Sequence, residues 1–151
     1  MSRIALWFRL TLALALSIGI APAGAAQVTV LDAWVRGTVE GQTATAAYMK
    51  LRSDADVRLI SVTAPVAARC SVHEMTMDGN LMRMRTLASL PVPARGTVEL
   101  APGHDHLMLE QLARPLKEGD TVELTLTFVE SSTGKRLQVQ VRAPVRPLGA
   151  R

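Results

Sequence analysis

From Val28 onward the apolar residues alternate with polar ones or form short β-branched runs, and no long segment keeps the period of an amphipathic helix. Stretches containing Gly, Pro, Asn or Asp interrupt the runs at short intervals, as turns do between strands. The pattern predicts an all-β fold, and this spacing favours a sandwich or barrel, for which Greek-key connections are an option. The predicted strands are Val28 to Arg36, Thr45 to Arg52, Val57 to Pro65, Ala68 to Met77, Leu81 to Leu87, Thr97 to Leu100, His106 to Leu112, Thr121 to Glu130 and Arg136 to Val141.

The N-terminal segment has the composition of a secretory signal. A basic segment up to Arg9 precedes an apolar run, residues 10–21, and Ala23-Gly24-Ala25 supplies the small residues that a signal peptidase accepts. We predict a leader over residues 1–25, with cleavage after residue 26 as a variant. The exported remainder is predicted to be a soluble domain, residues 27–142, followed by a frayed tail, residues 143–151, that carries two prolines.

Charge and cysteine content exclude two classes of protein. The formal charge of +4 falls to +2 once Arg3 and Arg9 leave with the leader. No run of Lys or Arg occurs and only 3% of the residues are aromatic, so the chain lacks the basic, aromatic-interleaved surface of a nucleic-acid binder. Cys70 is the single cysteine, which excludes an intramolecular disulfide framework, so a packed core must provide the stability.

Methionine and histidine are concentrated in one stretch of the chain. Thioether sulfur is a soft, neutral ligand and imidazole is a borderline one, so together they suit Cu(I) better than zinc, calcium or magnesium. Methionines also fill gaps in cores, and that alternative stays open for any one of them. The residues concerned are Met75, Met77, Met82, Met84 and Met108 together with His73, His104 and His106.

Strand parity argues against a core role for the set. Residues two apart in a strand project from the same face. Charged residues such as Glu74 and Arg83 alternate with the methionines, which predicts a hairpin that projects partly into solvent. Three predicted strands gather the soft ligands on one face each: His73, Met75 and Met77; Met82 and Met84; and His104, His106 and Met108.

The turn between the first two of these strands predicts how their ligands meet. Asp78-Gly79 is a strong signal for a two-residue type I′ turn. Such a turn would place His73 directly opposite Met84, with Cβ atoms about 4.5–5.5 Å apart. We therefore expect a histidine and a methionine to reach one metal ion across the ladder.

At these residues the sequence resembles a known family, the periplasmic copper chaperones called PCu(A)C. Their Cu(I) motif is a His, ten residues, a Met, twenty-one residues and then His-x-Met, and this sequence fits it without a gap. The resemblance spans nearly the whole chain after the leader and implies a cupredoxin-like Greek-key β-sandwich. The Cu(I) ligands that it implies are His73, Met84, His106 and Met108.

The resemblance also implies a function. A protein of this kind passes Cu(I) by ligand exchange to the CuA centre of cytochrome c oxidase, directly or through a thiol-bearing assembly protein. It is not an enzyme, and we expect a periplasmic monomer that binds no nucleic acid and inserts into no membrane after the leader is removed. Thioether ligands suit such a site because they do not form disulfides and release no proton when they bind.

Two departures from the family pattern concern additional sites. The residue two before His106 is usually small in the family, whereas here it is His104, an additional candidate ligand. Met75, Met77 and Met82 share the ligand faces and are secondary candidates. Some relatives carry a His- and Met-rich C-terminal extension that adds Cu(II) capacity, but the tail here contains neither residue type, so we expect no second site there.

Other classes of protein compete with this interpretation. A blue-copper electron carrier needs two histidines and a thiolate, but no histidine precedes Cys70, and its odd spacing from His73 predicts a buried, inert thiol on the opposite face. A hydrolase is disfavoured because the sequence has no recognisable nucleophile elbow. We expect Asp105 to hydrogen-bond the loop or tune the neighbouring imidazoles. A non-metal adhesive or structural sandwich fits the fold but leaves the His/Met faces unexplained.

Overall fold

The computed structural model describes residues 24–151, which contain ten β-strands and no helix. The predicted leader therefore lies outside the described residues, apart from its last two. Residues 24–151 accordingly include no helix that could cross a membrane. The strands are β1 Val28–Arg36, β2 Ala44–Ser53, β3 Val57–Thr63, β4 Ala67–Asp78, β5 Leu81–Leu87, β6 Leu90–Val92, β7 Thr97–Leu100, β8 His106–Leu112, β9 Thr121–Glu130 and β10 Arg136–Arg146.

The strands form two sheets that are joined along one edge. The first sheet has the order β5-β4-β8-β2-β1, with β7 also pairing with β2, and the second has the order β10-β9-β3-β6. Neighbouring strands within each sheet are antiparallel. The end of β10 pairs in parallel with the end of β1, where Val35 lies opposite Val145. This junction continues the first sheet into the second.

The core lies between the inward faces of the two sheets. Met49, Leu107 and Leu109 of the first sheet are buried in one cluster with Leu126 and Phe128 of the second. Because side chains alternate along a strand, the neighbours of these residues point away from the core. His106 and Met108 of β8 therefore lie on the outer face of the first sheet.

Two expectations about the chain's ends and turns were wrong. The tail predicted to be frayed from Ala143 instead continues β10 to Arg146, and Ala143 and Val145 are buried. The alternation of β10 carries on through Pro144, which is exposed. In addition, Leu90–Val92 forms a short strand, β6, that is absent from the predicted strands. It lies at a sheet edge, where proline is tolerated.

Candidate metal centre

Three adjacent strands of the first sheet, β5, β4 and β8, bring the predicted ligands together. His73 of β4 lies directly opposite His106 of β8, and their ring centroids are 5.6 Å apart in an edge-on arrangement. Both rings project from the outer face because Val72 and Leu107, their neighbours in sequence, are buried in the core. Parity therefore placed the two histidines correctly.

The register of the β4–β5 hairpin differs from the prediction. The turn is Gly79-Asn80 rather than Asp78-Gly79, and φ is +62° at Gly79 but not positive at Asn80. Glycine with positive φ at the first central position is the mark of a type II′ turn, not type I′. His73 consequently lies opposite Thr86, two residues beyond the predicted partner. A shift of two residues keeps every side chain on its predicted face.

His73 and Met84 nevertheless meet along the diagonal of the ladder. Nδ1 of His73 lies 3.3 Å from Sδ of Met84, since diagonal neighbours are within reach of long side chains. Nε2 of the same ring lies 3.0 Å from Oγ of Ser71 and 3.3 Å from Oγ1 of Thr86. In the tautomer whose Nε2–H donates to a hydroxyl oxygen, the Nδ1 lone pair and the sulfur face the same space.

His106 is more deeply buried than His73. Its side chain is buried, with 8% of its surface exposed, and its Nδ1 lies 3.0 Å from the backbone oxygen of His104. A carbonyl can only accept, so Nδ1 carries the proton and Nε2 keeps its lone pair. A hydrogen bond of this kind sets the tautomer and ring orientation of metal-binding histidines. The nitrogen of His106 available to a metal is therefore Nε2.

Met108 and Met75 border the same open space as His106. The three side chains line a cleft of about 320 Å³ on the outer face. Met108 follows His106 by two residues on β8, and Met75 lies directly opposite Met84. The four residues of the motif thus lie on three adjacent strands, with Met75 close to them.

The remaining secondary candidates lie farther out. Met77 and Met82 pair across the hairpin one step beyond Met75 and Met84, and both are exposed. His104 was expected to share the strand face of His106, but β8 begins at His106 and His104 lies in the preceding turn with its side chain exposed. His104 contacts the site through its backbone oxygen, which accepts the hydrogen bond from Nδ1 of His106.

Asp105 anchors the turn that precedes His106. The β4–β8 ladder ends at the pair of His73 and His106, and Oδ1 of Asp105 accepts a hydrogen bond from the backbone N–H of Met75, at 3.0 Å. The carboxylate thereby continues the contact between the two strands past the last backbone pair. We expected this carboxylate to bind its own loop or to tune the imidazoles, whereas the hydrogen bond observed runs to strand β4.

Several residues near the histidines were missed by sequence reasoning. Ser71 and Thr86 beside the His73 ring lie on the ligand faces by parity, which was the signal that could have found them. Tyr48 lies with its ring centroid 6.4 Å from that of His106, and Trp34 stacks on Tyr48 at 4.5 Å. A β-bulge at Asp32, where φ is +52°, turns Trp34 to this outer face, and no sequence signal marked it.

The electrostatics favour neutral, soft ligands. Burial lowers the pKa of His73, and the nearby imidazole of His106 lowers it further, so His73 is neutral at pH 7. In the described part of the chain no three His, Cys, Asp or Glu side chains converge in a way that could hold a metal ion. The sulfur atom next to the His73 ring belongs to a thioether, Met84, and thioethers prefer soft ions.

Cys70 lies away from this site. It pairs with Leu109 on the inward face of β4 and packs against the core, where burial raises the pKa of its thiol. A thiol with a raised pKa is largely protonated at neutral pH and is a poor ligand or nucleophile. The predicted inert role fits this position, and the thiolate of a blue-copper centre does not.

Comparison with solved structures identifies the class of protein that this fold and face define. The chain matches the copper-bound PCuAC domain from PmoF2 with a TM-score of 0.64 at 24% identity, covering 80% of this chain and 92% of that domain. It matches the solution structure of apo-DR1885 from Deinococcus radiodurans with a TM-score of 0.58 at 32% identity, covering 99% and 100% of the two chains. The CuI form of DR1885 gives a TM-score of 0.55 at 32% identity over 89% and 85%. The fold is that of a PCuAC domain, an all-β, cupredoxin-like sandwich, as predicted.

Sequence comparison gives the particular family. Residues 28–145 match the family described as "Putative lipoprotein LpqE-like", and the chain belongs to this family, which is related to the PCuAC proteins. A curated relative, "Putative lipoprotein Lxx21020" of Leifsonia xyli subsp. xyli, is 32% identical over 107 residues. The match covers 70% of this chain and 64% of the relative, so this chain spans less than two thirds of that protein's length.

Proposed function

We propose that this protein is an exported Cu(I) metallochaperone that holds the ion between His73, Met84, His106 and Met108. The observation that carries the proposal is the convergence of His73, Met84 and His106 on one outer face, with Nδ1 of His73 3.3 Å from Sδ of Met84. Two similar solved structures, the copper-bound PCuAC domain from PmoF2 and the CuI form of DR1885, support copper as the cargo.

The donor set suits Cu(I) in chemical terms. Two thioethers carry no charge and imidazole binds a metal in its neutral form, and a donor set without carboxylates or thiolates disfavours zinc and harder ions. Neutral ligands also bind without releasing protons at pH 7. The site loaded with Cu(I) therefore carries a net charge of only +1, and a site near the protein surface can hold that charge.

The arrangement fits transfer by stepwise ligand exchange. Met84 is 57% exposed and lies on β5, the edge strand of the sheet, so a donor atom of a recipient can replace its sulfur first. His106 is buried and oriented by its hydrogen bond to the backbone, so the bond between its nitrogen and copper is the last to break. Copper remains Cu(I) throughout, because each step replaces one lone-pair donor by another and no electron moves. A recipient thiol binds as the thiolate and releases its proton to solvent.

The recipient that we propose is the CuA centre of cytochrome c oxidase, reached directly or through a thiol-bearing assembly protein. The support is the fit of the Cu(I) motif to the PCu(A)C family. We place the protein in the periplasm because of the predicted leader. Its similarity to a lipoprotein family and to a lipoprotein relative supports export.

An anaerobic titration with Cu(I) against a competing chelator tests the proposal. The purified protein should take up one Cu(I) tightly, and excess Zn(II) should not displace it. Zinc that binds stoichiometrically and expels Cu(I) would contradict a Cu(I) carrier. A recipient test follows: the loaded protein should metallate the soluble CuA domain of an oxidase, whereas a mixture in which copper stays on this protein would argue for another recipient.

A further inference from the structure

Four methionines form two consecutive cross-strand pairs along the β4–β5 hairpin. Met75 lies opposite Met84, and Met77 lies opposite Met82 one step nearer the turn. All four project from the same face as His73, because they differ from it or from its partner Thr86 by even numbers of residues. The soft ligands thus continue outward from the histidines to the tip of the hairpin.

The outer pair has no packing role that explains its residue type. Met77 is 63% exposed and Met82 is 53% exposed, although large apolar side chains are normally withdrawn from water. Ion pairs tie the hairpin together on its opposite face: Glu74 contacts Arg85 at 2.6 Å, and Asp78 contacts Arg83 at 3.0 Å. The hairpin therefore has contacts of its own that do not require the two outer thioethers.

The inner pair, Met75 and Met84, lies next to the two histidines. Sδ of Met84 contacts the ring of His73, and Met75 lines the cleft with His106 and Met108. The outer methionines lie opposite each other and are largely exposed to solvent. Two thioethers that lie directly opposite each other on adjacent strands can both bind one soft ion.

We propose that Met77 and Met82 form a separate, weak Cu(I) site through which the ion reaches and leaves the His/Met centre. This inference rests on the proposed function and adds a second site to it. Transfer inward breaks the two Cu–S bonds to the outer pair and forms bonds to sulfur and nitrogen of the inner set. The ion stays Cu(I), and every bond that breaks or forms is to a lone pair on sulfur or nitrogen, so no electron has to be supplied.

The first test locates binding with Ag(I), a redox-inert ion of the same charge and softness. In the protein with 13C-labelled methionine methyl groups, the first equivalent should shift Met84 and Met108. The second equivalent should shift Met77 and Met82. A second equivalent that leaves both outer methyls unshifted would overturn the outer site. Failure of the first equivalent to shift Met84 or Met108 would instead count against the proposed function.

The second test measures the rate of Cu(I) uptake from a chelator complex by stopped flow. Replacing both outer methionines with leucine removes sulfur but keeps the apolar surface, whereas replacing both with alanine removes both. We expect M77L/M82L to slow uptake several-fold and to leave the affinity for the first Cu(I) unchanged. An unchanged rate in the leucine variant would overturn the proposal. So would a slower rate in the alanine variant alone, since that would indicate an apolar docking surface instead.

Discussion

Met84 offers the sharpest separation of metal binding from folding. Its side chain is 57% exposed, yet its sulfur lies 3.3 Å from Nδ1 of His73. Met84→Leu should change the free energy of unfolding by less than about 0.5 kcal/mol, as is usual for surface substitutions. Removing a residue that only hydrogen-bonds a metal ligand typically weakens metal binding by about 10- to 100-fold. Removing a ligand itself should therefore weaken Cu(I) binding by more than about 100-fold. At about 1.4 kcal/mol per tenfold, this exceeds about 2.8 kcal/mol.

Two assays on one protein sample give the comparison. Chemical denaturation of the metal-free protein reports the unfolding free energy, and anaerobic competition with a Cu(I) chelator reports the affinity. Met82→Leu is the matched control, because Met82 has similar exposure on the same strand and face but lies beyond the histidines. The control should leave the affinity for the first Cu(I) unchanged. If Met84→Leu unfolds the protein, or keeps full affinity, Met84 is a packing residue and the reasoning fails.

Three further predictions concern pH, the loop and the turn. Burial and the neighbouring imidazole lower the pKa of His73, so this ring gains its proton at a lower pH than an ordinary imidazole, and Cu(I) affinity should decline in that acid range; an affinity that is flat from pH 7 to pH 4 would exclude histidine ligands. Asp105→Ala removes the acceptor of the Met75 N–H and should lower stability by roughly 1–3 kcal/mol by denaturation, while Asp105→Asn keeps an acceptor and should lose less. Gly79→Val and Gly134→Val both place a side chain at positive φ in open space and should each lower stability by about 1–3 kcal/mol, but only the first should weaken Cu(I) binding by titration.

The faces of the site strands were predictable because side-chain alternation is a local property. His73, Met84 and His106 lie where parity placed them, and that held even though the hairpin register was wrong. Asp78-Gly79 and Gly79-Asn80 are both good turn sequences, so composition could not choose between them. The resulting shift of two residues changed the partners of His73 but not its face.

Features that depend on distant contacts were not predictable. Ala143 and Val145 are buried because β10 meets β1 from the other end of the chain, and a proline-containing tail gives no sign of that partner. Trp34 reaches the outer face through a bulge at Asp32 that local propensity does not mark. The backbone oxygen that orients His106 comes from His104, whose ring had been the candidate.

X-ray absorption at the copper edge of the protein loaded with one Cu(I) tests the central claim most directly. Sulfur and nitrogen scatter differently, so the spectrum counts each type of ligand around the ion. We predict a shell containing both imidazole nitrogen and thioether sulfur in the wild type, with one sulfur fewer in Met84→Leu and one imidazole fewer in His106→Ala. A shell of sulfur alone, of nitrogen and oxygen alone, or one that neither substitution alters, would contradict the assignment of His73, Met84, His106 and Met108 as the Cu(I) ligands.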